Sequence, residues 1–213
     1  MAITVLLVDD HDLVRMGVRS LLQGVKDIQV VGEAKDGEEA IKQARALKPN
    51  VIVMDVGMPG IGGLEATKRL VQHDATTKVL ILSAHGSEPY PSRVLKAGAL
   101  GYITKGTSAE EMMTAIRSVY AGKRYISAEA AQQLAMKQLN VEGKTPFDEL
   151  SEREMQIVIM ITSGQKVGDI ADQLFLSPKT VNSYRYRIFE KLDITSDVEL
   201  TRLAMRHGLI ESE

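Results

Sequence analysis

VIVMDVGMPGIGGLEATKRL, residues 51–70, decides the fold. Val51–Met54 is an unbroken apolar run, the pattern of a strand buried on both faces. It stops at an acid, Asp55. Pro59-Gly60 and Gly62-Gly63 then punctuate a loop, and a helical stretch follows. Working outward, four more runs of this kind occur at Thr4–Val8, Gln29–Gly32, Val79–Leu82 and Gly101–Ile103. Stretches of helical periodicity lie between them. Leu13, Met16, Gly17 and Leu21 share one helix face; so do Ala40, Ile41, Ala44 and Leu47; Ile116, Val119 and Tyr120 mark another after Met112 and Met113. Strand and helix alternating five times predicts a parallel sheet covered by helices on both sides.

The pattern changes towards the C-terminus. Ser127–Leu139 is helical in spacing, and Asn140–Phe147 mixes Gly, Pro and polar residues as a linker does. From Leu150 no strand pattern is visible. Four helical segments take its place, at Glu152–Thr162, Val167–Leu174, Pro178–Leu192 and Asp197–His207. Ser151 with Glu154 forms a capping box, Ser177-Pro178 an N-cap followed by proline at the first helical position, and Gly164 and Gly208 stand where helices end. The expected organisation is an α/β domain over 1–121, a helical linker over 122–146 and an all-α domain over 147–213.

Composition allows both cores. The 213 residues are 44% hydrophobic and 25% charged, ordinary for a soluble globular protein, with a formal net charge of -2. No cysteine is present, which excludes disulfides, thiolate metal sites and thiol nucleophiles and fits a reducing cytoplasm. The apolar run Ile3–Val8 is too short for a signal peptide, and nothing approaches the roughly 20 apolar residues of a membrane span. A cytoplasmic protein without membrane contact is expected.

In an open parallel sheet, function gathers at the carboxyl ends of the strands. The first strand ends in Asp9 and Asp10, the third in Asp55, the fourth in Ser83 and the fifth at Lys105. Clustered carboxylates repel one another and favour a hard divalent cation such as Mg2+. Asp55 can act as a nucleophile towards a phosphoryl group, Lys105 can offset charge on the transferring oxygens, and Ser83 can donate to them. Taken singly, an acid pair is a loop cap, Asp55 a turn residue and Lys105 a surface charge; their joint placement at four strand ends argues for the chemistry. His11 is set aside as a ligand, because magnesium prefers oxygen. Tyr102, three residues before Lys105, reads by itself as an ordinary strand aromatic.

The C-terminal part is acidic, with 8 Lys+Arg against 12 Asp+Glu from Phe147 onward. Pro178–Leu192 runs against that average: Lys179, Arg185, Arg187 and Lys191 face only Glu190, interleaved with Thr180, Asn182, Ser183, Tyr184 and Tyr186. A basic helix alone is commonly a solvated face. Following Val167–Leu174 across a tight turn, it reads as the second helix of a helix-turn-helix, about residues 167–186, entering a DNA major groove.

VLLVDDHDLVRMG (5–17), VIVMDVGMPGIGGLEATKRL (51–70), ILSAH (81–85) and KAGALGYITKG (96–106) resemble the receiver domain of two-component signalling, whose fold is flavodoxin-like with five parallel strands. LSERE (150–154) and GQKVGDIADQLFLSPKTVNSYRYRIFEKLDI (164–194) resemble the four-helix LuxR-type DNA-binding domain. Together they are similar to the NarL/FixJ family, and SPKTVNSYRYRIFEKL with SAHGSEPYPSRVLKAGA is most like its GacA/UvrY/SirA/LetA group. The resemblance implies a response regulator phosphorylated on Asp55. Asp10, Asp55 and the Gly57 carbonyl would bind Mg2+, with Asp9 acting mainly through water. Ser83, Tyr102 and Lys105 would be the switch and phosphate-contacting residues. Lys179, Thr180, Val181, Asn182, Ser183, Arg185, Tyr186 and Arg187 would be the DNA-binding positions: Asn182, Ser183 and Tyr186 at base edges, and Lys179, Thr180, Arg185 and Arg187 on phosphates. Implied partners are a BarA/GacS-like sensor histidine kinase, promoter DNA of small regulatory RNAs, RNA polymerase and, once phosphorylated, a second copy of the chain. Gly106 departs from the family's usual proline after the lysine. Two rivals remain open. An aspartyl phosphatase would want an acid at position 57, where Gly57 stands, and a constitutive DNA-binding protein would have no use for the full set of acids, hydroxyl and lysine.

Overall fold

The computed structural model describes residues 2–83, 90–132, 145–207 and 209–210. They form two compact units, the first reaching residue 132 and the second taking in residues from 145 on. The first contains β1 (Ile3–Val8), α1 (Asp12–Leu22), β2 (Ile28–Ala34), α2 (Gly37–Leu47), β3 (Val51–Asp55), α3 (Gly62–His73), β4 (Val79–Ser83), α4 (Tyr90–Lys96), β5 (Gly101–Thr104), α5 (Ala109–Tyr120) and β6 (Tyr125–Ile126), then helical residues 128–132, α6. The strands lie in the order β2-β1-β3-β4-β5-β6, and every pair is parallel.

Six strands stand where five were expected. β6 has only two residues, too few to carry a hydrophobic pattern, and it falls in the stretch read as linker. Gly101 admits it: a Cβ there would lie 3.1 Å from the Tyr125 carbonyl oxygen and 2.6 Å from the Leu80 side chain. On one face of the sheet, Val5, Leu7, Val53, Leu80, Leu82 and Ile103 pack against Val18, Leu22, Ile116 and Val119 of α1 and α5.

The expected face of α1 is corrected. Val18 and Leu22 are buried and Val14 half-buried, whereas Leu13 (83% exposed) and Met16 (64%) point to solvent. This helix carries two apolar stripes, and periodicity alone cannot choose between them. The β-branched stripe meets the sheet, and Arg15 comes with it, its Nη1 donating to the Asp9 carbonyl at 2.6 Å.

The second unit holds a short 3-10 turn (Pro146–Glu149), α7 (Glu152–Thr162), α8 (Val167–Gln173), α9 (Pro178–Leu192) and α10 (Asp197–Arg206). The helix starts follow their caps. Ser151 N–H donates to Glu154 Oε2 at 2.7 Å while Glu154 N–H donates to Ser151 Oγ at 3.3 Å. Ser177 Oγ accepts from Thr180 N–H at 3.1 Å, with Pro178 opening the helix. Gly164 follows α7 at φ +78, while Gly208 lies outside the described residues. The core of this unit gathers Phe147, Leu150, Met155, Ile170, Val181, Ile188, Leu192, Leu200 and Ala204. Among the described residues, no helix is long and apolar enough to cross a membrane.

Candidate functional site

Register levels the strand ends. Val8 pairs with Met54, Asp55 with Leu82, and Ser83 with Thr104. Asp9, Asp55, Ser83 and Lys105, distant in sequence, are therefore brought to one edge of the sheet. Lys105 Nζ stands 2.7 Å from Asp9 Oδ2 and 3.2 Å from Asp55 Oδ2. Asp9, Asp55 and Ser83 are buried, and Asp10 is half-buried.

Two loops shape the site. After β3 the chain passes Gly60 and Gly62, both at positive φ, and Gly63 packs directly onto the strand end. A Cβ on Gly63 would lie 1.8 Å from the Asp55 carbonyl oxygen, so no side chain fits there. Gly63 N–H donates to the Val56 carbonyl at 3.2 Å, and the Gly57 N–H donates to the Asp55 carboxylate. After β1, His11 N–H donates to Asp9 Oδ1 at 2.8 Å, and the His11 imidazole Nδ1 lies 2.9 Å from Asp10 Oδ1. Arg15 holds the Asp9 carbonyl, as noted, and its Nε is 3.5 Å from Glu33 on β2. Sequence reasoning missed Arg15. Its one signal was a cation sharing a helix stripe with Val14 and Val18.

Burial is the main influence on Asp55 and pushes its carboxyl up; the neighbouring Asp9 charge adds to this, while Lys105 and the Gly57 N–H work against it. Burial works against the Lys105 ammonium too, but the charges and hydrogen bonds of Asp55 and Asp9 together hold it above its ordinary range. Three carboxylates and one ammonium thus converge at the strand ends. Asp9, Asp10, His11 and Asp55 each offer a ligand atom within 4.8 Å of the others. Three of those donors are carboxylate oxygens, a set that fits a hard divalent cation. Tyr102 is fully buried (0% exposed). Because Ile103 faces α5, Tyr102 projects to the opposite side of the sheet.

On α9, the structure sorts the expected DNA positions. Lys179, Ser183, Tyr186 and Arg187 are exposed, and Thr180 and Asn182 are half-buried. Val181 is corrected: it is 0% exposed, packed in the core, and cannot reach a duplex. Arg185 forms a bidentate pair with Asp197 at 2.7 and 2.6 Å. Lys191 Nζ donates to buried Glu154 Oε2 at 2.6 Å, so this cation ties α9 to α7. Lys179 and Arg187 remain as the exposed cations of α9 that make no ion pair among the described residues.

A parallel sheet with an acidic pocket at its strand ends, followed by a helix-turn-helix unit, has counterparts among known proteins. Residues 5–117 match the model of the response regulator receiver domain, and residues 148–204 match that of the bacterial regulatory proteins of the luxR family. The chain belongs to the two-component response regulators that join a receiver to a LuxR-type helix-turn-helix DNA-binding domain. It is 55% identical over 212 residues to the response regulator UvrY of Escherichia coli (strain K12), covering 99% of this chain and 97% of the relative. It is 56% identical over 211 residues to the response regulator GacA of Pseudomonas aeruginosa, covering 99% of each. Among solved structures it is similar to the response regulator ChrA of a heme-sensing two-component system, at 31% identity and a TM-score of 0.56, covering 98% of this chain and 99% of that one.

Proposed function

We propose that Asp55 accepts a phosphoryl group from a sensor histidine kinase and that the phosphorylated chain dimerises and binds promoter DNA through α9. The observation that carries this reading is the buried Asp55 at the end of β3, with Lys105 Nζ at 3.2 Å and Asp9 and Asp10 beside it. Asp55 Oδ attacks phosphorus, the P–N bond to the donor histidine breaks as the P–O bond forms, and the imidazole leaves to take up a proton. Lys105 pairs with the transferred oxygens, and the Ser83 hydroxyl donates to them. Asp10, Asp55 and the Gly57 carbonyl would hold Mg2+, with Asp9 acting through water, and the ion would supply charge neutralisation in the pocket. The group stays on the chain, a single transfer rather than enzymatic turnover.

The exposed apolar stripe of Leu13 and Met16 begins one turn from Asp10 and suits a docking kinase helix. Tyr102 turning within the sheet's covered face as Ser83 engages phosphate is the switch. It stabilises a pre-existing active state. The signal passes to the DNA-binding domain, 147–213, through Ser127–Phe147; most of that stretch lies outside the described residues. Two α9 helices, from a pair joined through α10, then enter half-sites about one DNA turn apart, with Asn182, Ser183 and Tyr186 at base edges and Lys179, Thr180 and Arg187 at phosphates. The resemblance carried by SPKTVNSYRYRIFEKL and SAHGSEPYPSRVLKAGA implies a BarA/GacS-like kinase as donor, promoters of small regulatory RNAs as targets, and action with RNA polymerase in the cytoplasm. The test is Asp55→Asn, assayed with labelled acetyl phosphate and by genome-wide binding in cells. Loss of label and of promoter occupancy is expected; unchanged labelling and occupancy would sink the reading.

A further inference from the structure

The resemblance of α9 to LuxR-type domains implies that Arg185 lies on a DNA phosphate. Its surroundings assign it elsewhere. Its Nε and Nη2 donate to the two Asp197 oxygens at 2.7 and 2.6 Å, the fork-on-carboxylate geometry that fixes both groups in direction as well as distance. The guanidinium carbon lies 5.1 Å from the centre of the Phe189 ring, one turn along the same helix. Phe189 is itself buried in the domain core. Carboxylate and aromatic face together leave the Arg185 side chain only 26% exposed. Asp197 is the first residue of α10, where a carboxylate also complements the helix dipole. Ser196, immediately before it, caps α10 through Glu199 N–H at 3.3 Å, so the carboxylate is presented from an ordered helix start.

We propose that Arg185 is a positioning residue, a strut that locks the DNA-reading helix α9 to the start of α10, and not a phosphate ligand. This rests on the reading that α9 enters DNA. Charged contact with phosphate from α9 then falls to Lys179 and Arg187, the exposed cations that make no ion pair among the described residues. The strut also gives α10 a direct handle on the angle of α9, because any shift of Asp197 is transmitted by two parallel hydrogen bonds.

The two roles of Arg185 make opposite predictions. The probe is the duplex that the beryllofluoride-treated full chain selects from a randomised pool, with binding measured across a salt series. If the full chain selects no duplex, the DNA-binding reading itself fails. If it does, a strut predicts that Arg185→Ala and Asp197→Ala each weaken binding about three- to tenfold. It predicts that the double variant is no weaker than either single one and that the slope of log K against log salt is unchanged. The charge exchange Arg185→Asp with Asp197→Arg recovers at least half of the lost affinity on a logarithmic scale. A phosphate ligand predicts the reverse: Arg185→Ala lowers the slope by roughly 0.9, Asp197→Ala tightens binding by freeing the guanidinium, and the exchange rescues nothing. That second pattern would overturn the proposal. Melting curves of each variant identify any that fail to fold, and the charge exchange then decides alone.

Discussion

Asp55 sits where its charge is least welcome, buried at a strand end with a second buried acid nearby. Burial raises its pKa, so the sign of the linkage is set: the folded protein is favoured by protonated Asp55 at acid pH and loses that advantage as pH rises through the folded pKa. Without added metal, Asp55→Asn is expected to melt higher than the wild type at neutral pH, by on the order of 1 kcal/mol. Lys105 keeps Asp9 as a partner at 2.7 Å. The gap should close towards pH 4. A variant that melts lower at neutral pH would contradict this account. Phe175 presents the opposite kind of cost. It is 75% exposed and held at φ +53 in the turn before α9, a backbone region that penalises any residue with a Cβ. Phe175→Gly is expected to stabilise the chain by about 1 kcal/mol, read as an upward shift in urea midpoint; a downward shift would show that the ring makes contacts worth more than the strain.

At the level of elements, the tie between α7 and α9 turns on Glu154. It is buried, closes its own helix cap and receives Lys191 Nζ at 2.6 Å. Burial alone would raise its pKa, but the Lys191 and Ser151 hydrogen bonds outweigh it and hold the carboxyl below its ordinary range. A depressed carboxylate stabilises the fold above its unfolded pKa, and that contribution disappears as pH falls through the lower folded value. Glu154→Gln is therefore expected to cost about 2 kcal/mol at neutral pH and much less near pH 3. Amide exchange along α9 in the full chain measures it. Equal protection in both proteins at neutral pH would remove Glu154 from the account. Gly63 works at the same scale, since its missing Cβ lets α3 start against the Asp55 carbonyl.

For the whole molecule, the receiver and the helix-turn-helix matter only if the state of one biases the other. Beryllofluoride with magnesium, which mimics an aspartyl phosphate, is expected to raise DNA affinity on the order of tenfold, within the usual range of allosteric coupling. It is also expected to shift the chain from monomer to dimer in sedimentation. Asp55→Asn should do neither. Dimerisation of the wild type with no gain in affinity would separate the two steps and break the proposed chain of events.

By itself the sequence determined the alternation of strand and helix, the acids and lysine at the strand ends, and the caps Ser151 and Ser177, because each is written in local periodicity or in neighbouring residues. It also placed a basic helix in an acidic setting. Only the tertiary structure decided which stripe of α1 is buried, since Leu13-Met16 and Val14-Val18 are both at helical spacing (i, i+3 and i, i+4) and differ in what they meet. A two-residue strand such as β6 exists only because β5 offers it an edge. The same holds for charge. Arg185 and Lys191 are cations of the same helix as Lys179 and Arg187, yet two meet carboxylates 12 and 37 residues away and two meet none among the described residues. A cation's function depends on its partner, and partners distant along the chain are assigned by packing.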